Sequence, residues 1–393
     1  MNFWGKLLGC ASVLALATGI GTADAQTKTG VVKIGSNMEL SGNFVAVGIP
    51  PATAIRMAVK EINDKGGFVV GDTTYKLQLV EVDNKGATAS AVSEMIKLVE
   101  DEKVKFVFGP TLGALAAQAG EISIPAKVIH ITQSSVWQVR GYHSDPTRPL
   151  LFNTQLPLGN VAAMDAAALK ELGAKKIVFM GLDDETTKSN LDAFLKTLIP
   201  LGFEVVPILF PSGTTDFSSY VTRAKSSGDA IYFLYPQAQA PDLLRTVVDL
   251  NAGGKGFGAR AVDPNVALKG VNGKPLPFPF FTTYNTPSFD YPATDKVKAY
   301  RERLLAFSPG LAGPSVSFSF FTYDFVYMLT EAMKKAGSVD DTAKIAAAMT
   351  ALTYDGVAGK ICFPGGVRNA VMEGGQIWVR EGKLDPKLIP SGC

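Results

Sequence analysis

Short apolar runs alternate with longer stretches of helical periodicity through most of the chain. Residues 31–35 and 104–108 are apolar runs typical of buried strands. Between them, residues 51–63 place apolar side chains at Ile55 and at the positions three, four and seven residues later, which form one face of a helix. The same alternation resumes near residue 177. Strands that alternate with helices predict parallel sheets with helices on both faces.

This pattern occurs in two blocks, which predict two similar lobes separated by a junction at 150–156. Pro207 within a predicted strand of the second block indicates an edge position, because proline cannot donate to a neighbouring strand. The segment 270–292 is rich in Pro, Gly and aromatic residues and predicts a crossover strand with loops. The helices predicted between residues 294 and 351 do not continue the alternation of either block. We therefore expect the chain to cross between the lobes more than once.

The first 25 residues have the pattern of a secretory signal peptide. Lys6 precedes an apolar run from Leu7 to Gly21, and Ala23-Asp24-Ala25 is a small-residue cleavage pattern. The run is too short to span a membrane comfortably, which favours export with cleavage over the alternative, a short membrane anchor. Lipid attachment at Cys10 is disfavoured because almost no apolar stretch precedes it. We therefore expect residues 1–25 to be removed on export.

Composition and charge narrow the classes of function. The 393 residues carry 38 Lys and Arg against 36 Asp and Glu, a formal net charge of +2, so a basic face for nucleic acid is not expected. His130 and His143 are the only histidines, which argues against a multi-histidine metal site, and we expect no metal or other cofactor. His130 lies inside an apolar strand and is predicted to be a core residue. An exported enzyme is disfavoured because we find no G-x-S-x-G elbow, no P-loop and no G-x-G-x-x-G in the first strand–helix turn.

Cleavage of the signal peptide would leave two cysteines, Cys362 and Cys393. In an oxidising compartment they allow one pairing, which would pin the C-terminal tail, and we expect this disulfide to form. Closing a loop of about 30 residues constrains the unfolded chain by roughly 3–4 kcal/mol. Two free thiols are the alternative.

Four segments carry a family resemblance through their order and spacing. They are IGSNMELSGNFVAVGIPPATAIRMAVKEINDKGG (34–67), FVFGPTLGALAAQ (106–118), TTDFSSYVTRAKSSGDAIYF (214–233) and KKAGSVDDTAKIAAAMTALTYDGVAGKICF (334–363). Together they resemble the leucine-binding-protein-like branch of bacterial periplasmic solute-binding proteins, which feed ABC transporters. The resemblance covers essentially the whole mature chain.

The resemblance implies a type I periplasmic-binding-protein fold, an α/β architecture of two Rossmann-like lobes with parallel-rich sheets joined by a three-strand hinge. The implied crossovers lie near 150–155, 280–286 and 352–358. The implied N-terminal lobe comprises 26–151 plus 285–353, and the implied C-terminal lobe comprises 152–284 plus 354–393.

The resemblance also implies a function without catalysis. A small solute, such as an amino acid or a similar carboxylate or amide, is captured in the periplasm by closure of the two lobes. An ABC transporter permease in the inner membrane then accepts it from the monomeric binding protein. A binding protein coupled to a receptor rather than to transport is the alternative, and an exported enzyme is a more distant one.

The expected binding surface begins with two loops of the first lobe, since ligands of open parallel sheets lie beyond the carboxyl ends of the strands. In the loop after the first strand, we expect Ser41 and Phe44 to contact the solute. In the second loop, a helix that begins near Gly113 and continues with Ala114 presents backbone N–H groups, which favour an anion such as a carboxylate. The family has a hydroxyl where this chain has Gly113, so the resemblance leaves the solute open among amino acids, amides and aromatic acids.

A third loop of the first lobe contains Ser134 and Ser135, which can donate to a carboxylate, and Trp137, which can cover apolar surface. We expect replacement of both serines by Leu to abolish binding and to leave the fold intact. Stabilisation of the local turn is the alternative role for these serines and for Ser41.

In the second lobe, candidate contacts follow the predicted strands. Thr187 lies after the first of them, and Tyr235 is placed to stack on the solute. Asp263 is a candidate partner for an ammonium group. Because Asp263 precedes Pro264, a turn-forming role for its carboxylate is the alternative.

Overall fold

The structure is a computed structural model that describes residue 1 and residues 28–234, 239–390 and 392–393. Residues 2–25 of the predicted signal peptide and the candidate site residue Tyr235 therefore lie outside the described residues.

The described helices follow the predicted periodicity, and none of them is long and apolar enough to cross a membrane. They are α1 (Val45–Asp64), α2 (Thr88–Ile96), α3 (Gly113–Ser123), α4 (Ser135–Val139), α5 (Leu158–Glu171), α6 (Glu185–Leu198), α7 (Ser218–Ser227), α8 (Ala240–Asp249), α9 (Asn265–Leu268), α10 (Asp295–Phe307), α11 (Ser319–Ala336) and α12 (Thr342–Thr350).

The first lobe is built on a six-stranded sheet. Its strands are β1 (Lys28–Met38), β2 (Phe68–Val70), β3 (Thr73–Asp83), β4 (Phe106–Phe108), β5 (Ile129–Thr132) and β6 (Leu151–Asn153), in the order β2-β3-β1-β4-β5-β6. All neighbours pair in parallel except β2, which is antiparallel to β3 at the edge. The loops after β1, β4 and β5 therefore lie along one edge of the sheet, as expected for a binding surface.

The second lobe is built on a seven-stranded sheet in the order β16-β15-β11-β10-β9-β7-β8. Its strands are β7 (Lys176–Leu182), β8 (Glu204–Phe210), β9 (Ala230–Leu234), β10 (Phe257–Arg260), β11 (Phe280–Tyr284), β15 (Gly374–Arg380) and β16 (Lys383–Ile389). The strands β7 to β11 are parallel, and the last two are antiparallel. Pro207 lies on β8, the edge strand, which confirms its predicted position.

The three helices α10, α11 and α12 return to the first lobe. Tyr300, Phe320 and Met349 belong to the same buried cluster as Phe106 and Phe108 of β4. The chain thus leaves the first lobe after β6 and re-enters it after β11, which confirms that it crosses between the lobes more than once.

A third, three-stranded sheet changes the expected lobe boundary. It comprises β12 (Tyr354–Gly356), β13 (Gly359–Cys362) and β14 (Val371–Met372). Ile361 and Met372 are fully buried in the core cluster of the first lobe, and Ala370 donates its backbone N–H to the carbonyl of Asn153 at the end of β6. Residues 354–372 therefore pack with the first lobe because their apolar side chains complete its core. The third crossing lies at Glu373, and the boundary expected near 352–358 is wrong.

A disulfide joins Cys362 on β13 to Cys393, with the two Cα atoms 5.9 Å apart. The tail that it holds follows β16, a strand of the second sheet. The bond therefore links the second lobe to the small sheet that packs on the first.

Candidate functional site

The loop after β1 is organised by the carboxylate of Asp83. The Ser41 hydroxyl donates to Asp83 Oδ2 at 2.5 Å, and the N–H groups of Leu40 and Ser41 donate to Oδ1 at 3.0 and 3.2 Å. Burial alone would raise the pKa of the Asp83 carboxyl, but these bonds and one from Lys85 N–H lower it below its ordinary value. Ser41 thus fixes the loop, while the ring of Phe44 stays 43% exposed at its end.

The N-terminal end of α3 is occupied by Glu39, a residue that the sequence analysis did not single out. Glu39 is fully buried, and its Oε1 accepts the N–H groups of Thr111 and Leu112, each at 3.1 Å. Gly113 begins the helix and Ala114 is exposed in its first turn, as predicted for a helix start at this edge. The sequence signal for Glu39 was its position, as an acidic residue directly after a strand that ends at the binding edge.

The third loop has a structural role for two of its candidate residues. Ser134 is fully buried, and its Oγ accepts the N–H of Trp137 at 3.2 Å, so it caps α4. Trp137 is also fully buried, with its ring edge-on to His130 at a centroid distance of 5.0 Å and with Leu151 in its cluster. Neither side chain is exposed in this structure, because α4 turns both onto α3 and β6, and their contact with a solute stays a prediction. Ser135 is the first residue of α4.

His130 is a core residue, as predicted. Its Nε2 lies 2.7 Å from the carbonyl oxygen of Gly109 and must carry the proton, since a carbonyl only accepts. Its Nδ1 lies 2.9 Å from the Ser123 hydroxyl. Burial lowers the pKa of His130 to about 4, against a smaller upward effect of the Gly109 bond. The ring therefore holds the second and third loops together as a neutral group.

Two buried asparagines connect the third loop to the crossing segments. Asn153, at the end of β6, accepts the N–H of Ser134 at 2.9 Å and donates to its carbonyl at 3.0 Å. The same amide donates to Asn369 Oδ1 at 2.8 Å, and Asn369 donates to the Gln155 carbonyl at 2.7 Å. Both asparagines were missed by the sequence analysis, since they bind each other across 216 residues of the chain.

In the second lobe, Thr187 is buried and not exposed to a solute. Its Cγ2 packs on Gly181, where an added Cβ would lie 2.7 Å away. Its N–H donates at 2.7 Å to Asp184, the N-cap of α6. Thr187 thus packs the start of α6 on β7, and its contact with a solute stays a prediction.

Asp263 lies exposed after β10, as expected for a residue at this edge. Its Oδ1 accepts the N–H of Asn265 at 2.9 Å, which is the turn-forming role left open by the sequence. The same oxygen accepts from the Tyr291 hydroxyl at 3.1 Å. The carboxylate is thus held in place at the surface.

A buried charged network lies beneath α5 and α6 near the same edge. Arg260, at the end of β10, donates to Asn190 and lies close enough to Asp165 to affect its ionisation. Asp165 Oδ2 accepts from the Tyr232 hydroxyl at 2.6 Å. Burial raises the pKa of Asp165 to about 6, although Arg260 and Tyr232 act in the opposite direction. A lone arginine at a strand end was the available sequence signal for this network.

A cavity of about 490 Å³ lies between the lobes. The second lobe contributes Leu158 of α5 and Ser189, Asp192 and Ala193 of α6, and the remaining wall comes from the first lobe, its third sheet and the first crossing. Those remaining residues are Gln138, His143, Pro157, Pro364, Val367, Asn369 and Val371. Its volume lies within the range of small-molecule sites. None of these residues was among the candidate contacts, since they meet only when two lobes are assembled.

A family model described as periplasmic binding protein matches residues 31–373. The chain belongs to this family. Within the residues that the structure describes, this periplasmic binding protein has no group of three or more His, Cys, Asp or Glu side chains that could hold a metal ion.

Curated relatives of this periplasmic binding protein are Leu/Ile/Val-binding proteins. The chain is 27% identical over 324 residues to Leu/Ile/Val-binding protein BraC3 of Rhizobium johnstonii, which covers 81% of this chain and 83% of the relative. It is 26% identical over 344 residues to Leu/Ile/Val-binding protein homolog 3 of Brucella melitensis, with 86% and 88% covered. The predicted resemblance to the leucine-binding-protein-like branch is thereby confirmed.

Solved structures share the fold. A substrate-binding protein from Sphaerobacter thermophilus superposes with a TM-score of 0.75 at 20% identity, covering 92% of this chain and 98% of that one. LivJ of Streptococcus pneumoniae in complex with isoleucine gives 0.67 at 21% identity, with 92% and 100% covered. A solute-binding protein of R. palustris in complex with benzoate gives 0.67 at 19% identity, with 92% and 97% covered. The expected type I fold with two lobes is confirmed.

Proposed function

We propose that the protein captures a small solute in the periplasm and delivers it to the permease of an ABC transporter. The observation that carries this proposal is the interlobe cavity, whose wall combines α6 of the second lobe with Gln138 and Asn369 from the side of the first lobe. Lobes joined by a few short crossings can move as bodies, and such motion changes the size of a space between them. The family to which the chain belongs supports a binding function.

Closure of the lobes follows from differential affinity. A solute that contacts both walls gains interactions in the closed form that the open form does not offer, so binding shifts the population toward closure. Moving a two-state equilibrium from 1:99 to 99:1 takes about a 10⁴-fold difference in affinity between the states. The closed form then differs in surface from the open form, and a permease can distinguish the two.

The cavity lining favours a small amphipathic solute. Leu158, Val367 and Val371 supply apolar surface, while Gln138 and Asn369 supply amide groups. Curated relatives are named for Leu, Ile and Val, and neighbouring structures hold isoleucine or benzoate. These observations support an amino acid, an aromatic acid or a related amide as the solute.

Analysis of the bound compound tests capture. The full-length chain is expressed with its own N-terminal segment and recovered from the periplasmic fraction, and compounds released on denaturation are identified by mass spectrometry. We expect one small compound at a stoichiometry near one per chain. Adding this compound to stripped protein should reduce the radius of gyration in small-angle X-ray scattering. Chemical conversion of the compound by the purified protein would overturn the proposal.

Uptake measurements separate transport from sensing. Deletion of the gene should abolish high-affinity uptake of the identified compound by cells, and the wild-type gene should restore it. Unchanged uptake, together with loss of a transcriptional or motile response to the compound, would instead support a receptor-coupled binding protein.

A further inference from the structure

A second cavity, of about 470 Å³, lies on the first lobe. One of its walls is a face of α12, whose lining residues recur at helical spacing: Ala343, Ala346, Ala347 and Thr350. The remaining lining residues are Lys127, Pro149, Leu150, Thr342, Gly366 and Arg368. The volume lies within the range of small-molecule sites, and the capture of a solute between the lobes makes no use of this cavity.

The lining of the second cavity carries two positive charges and no acidic side chain. Lys127 is exposed and forms no ion pair within the part of the chain that the structure describes. Arg368 donates to the backbone carbonyl of Asp145 at 2.7 Å, and its Nε is buried without a partner among the described residues. The carboxylate of Asp145 is engaged by Thr147 and Arg148 instead. Both cations therefore lack a neutralising carboxylate.

The guanidinium of Arg368 is incompletely compensated in this position. Burial lowers its pKa below the ordinary value, and the charge of Asp145 opposes this effect only in part. Because an arginine stays protonated in proteins, the desolvated charge remains. A carboxylate offers the oxygens that a guanidinium binds best, while the apolar side chains of α12 and Leu150 can cover an attached hydrocarbon group.

A single chain segment, residues 364–371, separates the two cavities. Its residues that line the interlobe cavity are Pro364, Val367, Asn369 and Val371. Gly366 and Arg368, which alternate with them, line the second cavity. The segment is held by backbone hydrogen bonds, since Arg368 N–H donates to the His143 carbonyl at 3.0 Å and Asn153 N–H donates to the Arg368 carbonyl at 2.8 Å. The cavities thus share a wall but no lining residue, so each can be filled without the other.

We propose that the second cavity is a binding site for a small amphipathic carboxylate, separate from the interlobe cavity. The apolar part of this ligand packs along α12, and its carboxylate lies between Lys127 and Arg368. The inference goes beyond the proposed function and does not depend on it, because the site lies within one lobe.

Octanoate and its uncharged analogue octanamide test the chemistry of the site. Both are titrated by calorimetry into protein stripped of bound compounds. Octanoate should bind with a dissociation constant at or below about 1 mM. Octanamide should bind about tenfold or more weakly, because its carbonyl makes no charge-assisted bond with the two cations.

Substitution of the cations tests their roles. Arg368→Gln should lower the affinity for octanoate about tenfold, and Lys127→Gln should lower it by a smaller factor because Lys127 is exposed. Lys170→Gln makes the same charge change at an exposed position of α5 in the second lobe and should leave the affinity unchanged.

Three tryptophan variants test the location. Ala347→Trp fills the second cavity and should abolish octanoate binding. Lys344→Trp, at an exposed position of α12 outside the lining, is the matched control and should bind like wild type. Ala193→Trp fills the interlobe cavity and should also leave octanoate binding intact.

Three results would overturn the inference: no octanoate binding by wild type at about 1 mM, octanamide bound as tightly as octanoate, or binding kept by Ala347→Trp and lost by Ala193→Trp. The last result would place octanoate in the interlobe cavity. If circular dichroism shows that Arg368→Gln does not fold, Lys127→Gln and the tryptophan variants still decide. The proposed function is judged separately, by the compound recovered from the periplasm.

Discussion

Polar side chains at the strand ends of this protein mostly satisfy hydrogen bonds of the fold. Ser41 binds Asp83, Ser134 caps α4, and Thr187 packs at the start of α6. A serine or threonine after a strand has two common uses, since its oxygen serves a turn or helix start as well as a ligand. Which use applies depends on the burial of the side chain, and burial is decided by distant parts of the chain.

Ser134→Ala tests the capping role of this serine. Loss of the bond to Trp137 N–H should lower the free energy of unfolding by about 1 kcal/mol, as measured by urea denaturation. Ser93→Ala, at an exposed position of α2, is the control and should change stability by less than about 0.5 kcal/mol. Ser134→Leu should destabilise the fold more strongly, in contrast to the intact fold expected from the sequence, because the site is fully buried. An alanine variant as stable as wild type would contradict the capping role.

His130 predicts a specific pH dependence of stability. Burial lowers its pKa from 6.5 to about 4 in the folded protein. Between these values the unfolded chain binds the proton and the folded protein does not. The free energy of unfolding is therefore unaffected by this group above pH 6.5 and falls as the pH is lowered toward about 4. The loss is roughly 1.4 kcal/mol per pH unit.

The measurement compares wild type with His130→Gln by urea denaturation at about pH 6.5, 5.5 and 4.5. The variant should be less stable at the highest pH and should show a shallower decline. His143 is present in both proteins and cancels in the comparison. Equal slopes would show that folding leaves the pKa of His130 unchanged.

At the scale of elements, the contact between α1 and the loop after β1 predicts whether a Gly-to-Ala change in α1 raises or lowers stability. An Ala in place of a helical Gly stabilises a helix by about 1 kcal/mol when nothing opposes it. At Gly48 the new Cβ would lie 2.2 Å from the Glu39 carbonyl oxygen, so Gly48→Ala should instead destabilise the protein by about 1–3 kcal/mol.

Gly159→Ala is the matched control for Gly48→Ala. Gly159 lies in the first turn of α5 with nothing within 4 Å of an added Cβ, so this change should be neutral or stabilising. Both variants are compared by thermal and urea denaturation. Stabilisation by both would show that α1 is free to move away from Glu39.

The order of helices and strands was predictable because it depends on local periodicity. The edge position of β8 followed from Pro207 alone. The lobe membership of residues 354–372 was not predictable, because it is set by packing of Ile361 and Met372 against a core formed about 250 residues earlier. Periodicity shows which side chains are apolar, but not which distant core receives them.

The edge that carries the candidate site was also predictable, since parallel strands end together. The loops after β1, β4 and β5 lie there, and Phe44, Gly113 and Ala114 are accessible in them. The conformations of the loops were not predictable. Trp137 points into the protein because α4 is one short helix packed on α3, and that packing has no local sequence signal.

At the scale of the whole molecule, the interlobe cavity predicts how closure can be blocked. Ala193→Trp adds an indole to the α6 wall of the cavity, so the lobes should fail to close around a solute. The affinity for the identified compound should fall by about tenfold or more, and the compound should no longer reduce the radius of gyration.

Lys170→Trp places the same ring at an exposed position of α5, outside the cavity lining, and serves as the control. It should bind and close like wild type. Equal behaviour of the two variants would show that the solute and the closing motion do not use this cavity.

The disulfide should contribute strongly to stability. Its cysteines are 31 residues apart, and a loop of this length constrains the unfolded chain by about 3–4 kcal/mol. The double variant Cys362→Ser with Cys393→Ser should lose about this free energy of unfolding, as should wild type in reductant. A loss below about 1 kcal/mol would contradict this expectation, because it would show that closing this loop hardly restricts the unfolded chain.

The sulfur–sulfur link also encloses the third crossing in a covalent ring, because Glu373 lies between Cys362 and Cys393. A protease that nicks one exposed peptide bond within this ring would leave both pieces attached, and the nicked chain would run as one band on a gel until thiol is added. The last crossing between the lobes would thus stay covalently joined after a single cut.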